Sequence, residues 1–328
     1  MISAVFQKSF YSLLVRPSNN FAVLDGLRAM SILWVICSHI IFLGPSGYLE
    51  DDGLEFMYEN TGLFYAFWLN GFYGVDCFFV LSGLLISNII FREIDKTGTL
   101  NLESFYIRRI LRLSPALIVV ALFSYFSRLP NYENILYNIF YLNNFLPLSE
   151  NVIGHTWSLS VEEQFYLFFP LLLLICRRFL FQSPLLIITS IFILSLLLYL
   201  YGFYYHPDAT FFLLPTRIWQ LLAGSIIALL YLNRRRKFKN LGFHTLGAFL
   251  VLISLFPQLF STFKIPPSLP CTIGTALILL PIQNSWIVKF LSLKPLIRIG
   301  LLSYSLYLWH WPIYVFYKYL DILGYAGI

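Results

Sequence analysis

Residues 22–43 carry the sequence AVLDGLRAMSILWVICSHIIFL, an apolar stretch interrupted by the ionisable residues Asp25, Arg28 and His39. A helix that crosses the hydrocarbon core of a bilayer needs about 20 mostly apolar residues. Ionisable side chains inside such a helix are costly and mark functional sites. The stretch therefore predicts a membrane-spanning helix that also contributes polar groups to an interior site.

The composition of the whole chain agrees with a membrane protein. Of its 328 residues, 59% are apolar and 12% are charged. In soluble domains about 45–50% of residues are apolar and about 25% are charged. A soluble monomer, a disordered chain and a disulfide scaffold are thereby excluded. The net charge of +6 does not indicate nucleic acid, because no soluble segment gathers basic and aromatic residues. The cysteines lack CxxC spacing and are expected to be small buried hydrophobes, with no metal bound; they are Cys37, Cys77, Cys176 and Cys271.

Further apolar stretches predict an all-α fold, a polytopic transmembrane helix bundle of nine to ten spans. The alternating ten-residue pattern of a membrane barrel is absent. The stretch at 133–148 is short and rich in asparagine, and we interpret it as a re-entrant segment. The other expected spans lie at about 22–43, 64–91, 110–128, 159–177, 184–204, 211–232, 242–261, 268–284 and 299–320.

The distribution of charge predicts the orientation. With the N-terminus in the cytoplasm and 133–148 not crossing, the basic run Arg234–Lys239 lies inside and the acidic loop 44–63 lies outside. The positive-inside rule favours this arrangement. Residues 1–20 are then a cytoplasmic N-terminal segment without the apolar core of a signal peptide. Residues 21–328 are expected to form a single membrane domain.

Two histidines are predicted to reach a similar depth from the inner side. Asp25 and Arg28 lie three residues apart on one helix face and can pair. His39 follows Arg28 by eleven residues, which corresponds to roughly 16 Å along the same face. His310 follows Arg298 by twelve residues, or roughly 18 Å. Tyr307 precedes it within the hydroxyl-rich and aromatic sequence SYSLYLWHWP.

Three arginines lie at the start of the predicted span 110–128. Arg108, Arg109 and Arg112 occur in FYIRRILRLSP at 105–115, with Arg109 and Arg112 one helical turn apart. Guanidinium groups match phosphate geometry. The cluster therefore predicts a site for a phosphate-bearing ligand, or alternatively a contact with anionic lipid headgroups.

Polar residues also mark the outer ends of several spans. HTWSLSVEEQFY at 155–166 contains Trp157, then Ser158 and Ser160, either of which can cap the helix, and Glu162 in the first turn. Asp76 and Arg217 project from the outer ends of other helices. Because Glu162 and Arg217 lie at similar depth, we expect them to face one cavity and to form a pair.

These residues resemble the fingerprint of the acyltransferase-3 family of bacterial integral membrane O-acyltransferases. The resemblance covers about residues 21–317 and rests on six motifs in order. They are LDGLRA with Arg28-x10-His39, GVDCFFVLSGLLIS at 74–87, Arg109-x-x-Arg112, HTWSLSVEEQFYL at 155–167, TRIWQLLAGS at 216–225 and SYSLYLWHWPI at 303–313.

The resemblance implies transfer of an acyl group, usually acetyl, from cytoplasmic acyl-CoA to a hydroxyl of an extracytoplasmic glycan. Such acceptors include lipopolysaccharide O-antigen, exopolysaccharide and peptidoglycan. Acetyl-CoA would be a co-substrate, with no bound cofactor, and the protein would lie in the bacterial inner membrane. Some relatives carry a C-terminal SGNH-type domain; we expect this chain to be either a stand-alone member without an appended SGNH-type domain or a fragment that ends at the domain boundary. His39 and Arg28 carry over as the catalytic pair, and Arg109 and Arg112 as donor-binding residues.

We add Glu162 to the catalytic residues and Arg108 to the donor site. The acceptor-side or structural polar residues are then Asp25, Asp76, Trp157, Ser158, Arg217, Tyr307 and His310. His39 could remove the proton of the acceptor hydroxyl, or it could carry the acyl group itself. Two other classes remain open: a proton-coupled transporter or permease that uses the same ionisable groups as a relay, and a structural scaffold.

Overall fold

A computed structural model describes residues 22–43, 67–176, 183–232, 242–261, 264–281 and 285–322. These ranges are helical and contain no strand, which confirms the predicted all-α class. The N-terminal segment 1–20, the acidic loop 44–63 and the basic run Arg234–Lys239 lie outside the described residues.

The described ranges form thirteen α-helices, joined in places by short 3-10 turns. In chain order they are α1 (Ala22–Leu43), α2 (Gly74–Thr97), α3 (Leu102–Phe126), α4 (Ile135–Ile139), α5 (Trp157–Ile175), α6 (Pro184–Tyr205), α7 (Pro207–Phe212), α8 (Leu214–Ile227), α9 (Gly242–Ser254), α10 (Gln258–Ser261), α11 (Ser268–Ile278), α12 (Trp286–Leu291) and α13 (Lys294–Ile322).

Within the described ranges, six helical stretches are long and apolar enough to cross a membrane, which supports a multi-pass membrane protein. They are Ala22–Ile41, Phe67–Thr97, Leu102–Phe126, Gly154–Ile175, Pro184–Tyr205 and Pro207–Leu230. The expected spans at 242–261 and 268–284 contain α9 and α11, whose lengths are 13 and 11 residues. These are shorter than the about 20 residues that a straight crossing requires. The total of nine to ten spans stays a prediction.

The segment 133–148 consists of short helical pieces. Its longest helix, α4, has five residues, and 3-10 turns flank it at Tyr132–Asn134 and Asn143–Phe145. A helix of five residues rises about 7.5 Å and cannot cross a bilayer. Whether the segment re-enters the membrane stays a prediction.

The helix α1 packs along α13, and the two run in parallel. A Cβ atom added at Gly300 of α13 would clash with the backbone carbonyl of Asp25 in α1. Small residues allow such close helix contact in membranes, where van der Waals packing replaces the hydrophobic effect as the driving force. Since His39 and His310 lie further along the same two helices, this packing brings them to the same level.

A capped turn links α2 to α3. Gly98 ends α2 with a φ of 77°, and the Asn101 side chain accepts a hydrogen bond of 2.9 Å from the backbone N–H of Ser104. A left-handed glycine and an Asn cap are the usual signals that end one helix and begin another. The turn leads into α3, which carries Arg109 as its eighth residue.

Candidate active site

Three imidazole rings meet in the interior. His39 Nδ1 of α1 lies 2.8 Å from His310 Nε2 of α13. His155, on the 3-10 turn before α5, has its ring centroid 4.8 Å from that of His310 and 6.4 Å from that of His39. The similar depth expected for His39 and His310 is therefore realised as a direct hydrogen bond.

Tyr307 holds His155 in place from both sides. The His155 Nε2–H donates to the Tyr307 carbonyl over 2.8 Å, and the Tyr307 hydroxyl donates to the His155 carbonyl. The Tyr307 hydroxyl also lies 2.7 Å from Ser158 Oγ. His155 Nδ1 is buried without a hydrogen-bond partner. His155 Nδ1 thus has a lone pair that accepts no hydrogen bond, inside the cluster of His39, His155 and His310, the imidazole cluster.

Asparagine side chains fix the turn that carries His155. Asn138 and Asn143 each donate to Thr156 Oγ1 over 3.0 Å, and Asn151 donates to the Asn143 carbonyl over 2.8 Å. Buried hydrogen bonds of this kind rigidify the segments that they join. The asparagines that make 133–148 look polar in the sequence therefore anchor the turn beside the histidines.

A second cluster combines arginine, carboxylate and hydroxyl groups. The Tyr166 hydroxyl donates to Glu162 Oε2 over 2.9 Å, and the Arg109 guanidinium lies 3.7 Å from the centre of the Tyr166 ring. Arg28 and Arg109 are the basic groups that act electrostatically on Glu162. Arg28 also pairs with Asp25 at 3.4 Å, as the spacing predicts.

Some polar atoms of this arginine–glutamate cluster can still donate or accept a hydrogen bond. Arg109 Nε and Glu163 Oε1 are both buried and have no hydrogen-bond partner. A buried polar atom without a partner costs about 1–3 kcal/mol, a cost that a bound ligand can offset. Glu162 lies one helical turn after Ser158 on α5, and the Ser158 hydroxyl contacts Tyr307. The helix therefore links this cluster to the residues that hold His155.

The three arginines predicted to bind the donor differ in position. Arg109 is partly buried and faces the cluster, whereas Arg108 and Arg112 are exposed. Arg108 pairs instead with Glu93 at 3.5 Å. Residues three apart on a helix differ by about 60° in direction. Because α3 buries only a narrow face, that offset leaves Arg112 outside the interior.

The expected pairing of Glu162 with Arg217 is wrong. Arg217 Nη1 lies 3.2 Å from Asp76 Oδ1, and both side chains are 4% exposed. The reason lies in the contact between α2 and α8, where added Cβ atoms at Gly83 and Gly224 would clash with opposing backbone. Such close contact places Asp76 of α2 beside Arg217 of α8.

The Asp76–Arg217 pair lies in the wall of a small cavity. The cavity has a volume of about 130 Å³, and its lining includes Trp157, Tyr199 and Phe211. Arg217 Nε donates to the Phe211 carbonyl over 2.9 Å. The sequence assigned Asp76, Trp157 and Arg217 to one side of the protein, and the structure brings them together.

Sequence reasoning missed the contributions of His155, Glu163 and Tyr166. All three belong to the motif HTWSLSVEEQFYL at 155–167, so the signal was present. Helical spacing could relate His39 to Arg28, but His155 lies on a turn, where no such spacing applies. In the described part of the chain, no group of three or more His, Cys, Asp or Glu residues is arranged to hold a metal ion.

Fold and site together are those of a multi-pass helical membrane protein with ionisable side chains clustered in its interior. The chain belongs to the acyltransferase-3 family: the family model described as an acyltransferase domain matches residues 21–326. This match confirms the resemblance carried by the six motifs.

Curated relatives agree with the family. The chain is 32% identical over 332 residues to the O-acetyltransferase OatA of Staphylococcus aureus strain NCTC 8325 / PS 47, and equally to OatA of strain COL. Each alignment covers 89% of this chain and 50% of the relative. The chain thus spans about half the length of these relatives. No solved structure matches it.

Proposed function

We propose that the protein is a membrane O-acetyltransferase that moves an acetyl group from acetyl-CoA to a hydroxyl of an extracytoplasmic glycan. Family membership and the O-acetyltransferase names of the relatives support the reaction type. The observation that carries the proposal is the His39–His310 hydrogen bond, in an interior imidazole cluster whose third ring, His155, is held by Tyr307.

Arg109 and Arg28 bind the donor in this proposal. Coenzyme A carries phosphates, and charge-assisted hydrogen bonds from guanidinium groups are among the strongest that proteins form. The unpartnered Nε of Arg109 is one such donor already inside the protein. Arg108 and Arg112 are exposed on the same helix, where they attract the anionic donor as it approaches.

His39 performs the chemistry in either of two ways. As a general base, it takes the proton of the acceptor hydroxyl while the oxygen attacks the thioester carbonyl. A C–O bond forms, the C–S bond breaks, and the coenzyme A thiolate leaves and is protonated. As a nucleophile, His39 first takes the acetyl group from the thioester and then passes it to the hydroxyl. Glu162 orients Arg28 and Arg109 in both routes.

The cavity beside Asp76 and Arg217 serves the acceptor. Its wall combines aromatic rings with a charged pair, and sugars offer an apolar ring face together with hydroxyl groups. Trp157 lines the cavity while its neighbour Ser158 contacts Tyr307. Acceptor cavity and imidazole cluster are therefore linked through one turn of α5.

The transfer requires a defined orientation, with the N-terminus in the cytoplasm of the bacterial inner membrane. Cysteine introduced at Asp208 should react with an impermeant maleimide in intact cells, whereas cysteine at Lys237 should react only after lysis. Labelling at position 237 from outside would show that the loops after 133–148 have the opposite orientation.

The function is tested with purified protein in lipid vesicles, radiolabelled acetyl-CoA and a panel of bacterial surface glycans. Label should enter a glycan in an alkali-labile ester, and protein-free vesicles should give none. Labelled acetate should not replace acetyl-CoA as the source. Absence of protein-dependent ester from every glycan, with the protein shown to be folded, would contradict the proposal.

A further inference from the structure

A directional chain of hydrogen bonds ends at His39. The Leu306 carbonyl lies 3.1 Å from His310 Nδ1, and His310 Nε2 lies 2.8 Å from His39 Nδ1. The His39 and His310 rings are parallel to within 4°, and their centroids lie 5.1 Å apart, the distance expected when the two nitrogens in contact lie on the line between the centroids and so in both ring planes. In-plane contacts of this kind direct a ring N–H at the lone pair of the next ring.

The Leu306 carbonyl fixes the direction of both hydrogen bonds. A carbonyl oxygen can only accept, so His310 Nδ1 must carry a proton, and a neutral imidazole has only one N–H. His310 Nε2 is therefore an acceptor, and His39 Nδ1 must donate to it. The remaining nitrogen of His39, Nε2, then holds a free lone pair.

We propose that His310 is a positioning residue that fixes the tautomer and ring orientation of His39, leaving His39 Nε2 as the reactive nitrogen. The inference rests on the proposed function and deepens it, because both routes for His39 need a free lone pair at a known atom. When His39 Nε2 takes up a proton or an acyl group, the Nδ1–H still donates to His310, which stabilises the cationic ring.

His155 does not perform the same task. Its Nε2–H is committed to the Tyr307 carbonyl, and its ring centroid is 6.4 Å from that of His39. Of the two neighbouring imidazoles, only His310 makes a hydrogen bond to His39 in the described structure. The positioning role is therefore specific to one residue of α13.

Kinetics on two variants at position 310 test the role. His310→Leu removes the acceptor and should lower kcat by about a hundredfold, the usual contribution of a correctly protonated base, with KM for acetyl-CoA within twofold. His310→Gln places an amide oxygen close to the lost Nε2 and should restore most of kcat. His244→Leu is the matched control, since His244 is another buried histidine bonded to a backbone carbonyl, and it should leave kcat unchanged.

Solid-state NMR of the protein with ¹⁵N-labelled histidine determines the His39 tautomer independently of any activity measurement. Comparison with His39→Gln assigns the His39 signals, which should show protonated Nδ1 and unprotonated Nε2 in the wild type. In His310→Leu this preference should be lost. A wild-type His39 protonated at Nε2, or wild-type kcat in a folded His310→Leu protein, would overturn the proposal. An inactive wild type with the expected tautomer would instead count against the proposed function alone.

Discussion

Two interior arginine sites lie in the part of the protein that the structure describes, and they are built differently. Arg217 has one carboxylate partner, Asp76, and one backbone partner, the Phe211 carbonyl, and it is almost fully buried. Arg28 is 21% exposed in its pair with Asp25. Arg109 stacks on Tyr166 and keeps a buried Nε without a hydrogen-bond partner.

The contrast is between a guanidinium with a carboxylate partner and one without such a partner. A buried ion pair adds little net stability, but losing one partner leaves the other charge buried and costly. A guanidinium whose N–H has no hydrogen-bond acceptor in the protein can bind an anion from outside. We therefore expect the Asp76–Arg217 pair to stabilise the packing of α2 against α8 beside the cavity proposed for the acceptor, and we expect Arg109 to contact the donor.

The largest effect on stability is expected at the Asp76–Arg217 pair. Arg217→Gln leaves Asp76 charged and buried, so unfolding in detergent should become easier by about 3–5 kcal/mol. The double variant Asp76→Asn/Arg217→Gln should recover a large part of this loss, measured as thermal midpoints in a double-mutant cycle. Strictly additive losses would show that the two charges do not meet.

Glu162→Gln should affect catalysis more than folding. Loss of the carboxylate leaves Arg28 and Arg109 without their shared acidic neighbour, so we expect kcat to fall about a hundredfold, equivalent to about 2.7 kcal/mol of barrier. The matched control is Glu103→Gln, an exposed acid on α3, which should keep wild-type kcat. Wild-type kcat in both variants would show that the Glu162 carboxylate does not contribute to catalysis.

Arg109→Ala should produce a smaller and more specific change, in donor binding. Loss of one charge-assisted contact of about 1.5–3 kcal/mol should raise KM for acetyl-CoA about tenfold or more. Salt should weaken donor binding by the wild type more than by the variant. Lys96→Ala, an exposed cation on α2, is the control. An unchanged KM in Arg109→Ala would favour contact of the arginine motif with lipid headgroups.

Features that depend on helical spacing were predictable from the sequence. The length and apolarity of residues 22–43 predicted α1, and the three-residue spacing predicted the Asp25–Arg28 pair. Depth counted along two helices placed His39 and His310 at one level. Each of these follows from the rise and the turn of one helix.

Features that depend on packing between helices were not predictable. The partner of Arg217 is decided by the glycine contacts between α2 and α8, which no spacing within one helix encodes. The position of His155 depends on an asparagine network between non-helical segments. Periodicity carries no information on such turns, because their residues have no common face.

The most direct test of the central claim compares His39→Gln with His244→Gln in lipid vesicles at saturating acetyl-CoA, with thermal midpoints measured in parallel. Both variants replace one histidine by a neutral side chain, but only His39 belongs to the imidazole cluster. The account predicts that His39→Gln loses acetyl transfer by about a hundredfold or more at an unchanged midpoint. His244→Gln should keep the wild-type rate. A folded His39→Gln protein that transfers acetyl at the wild-type rate would contradict the account.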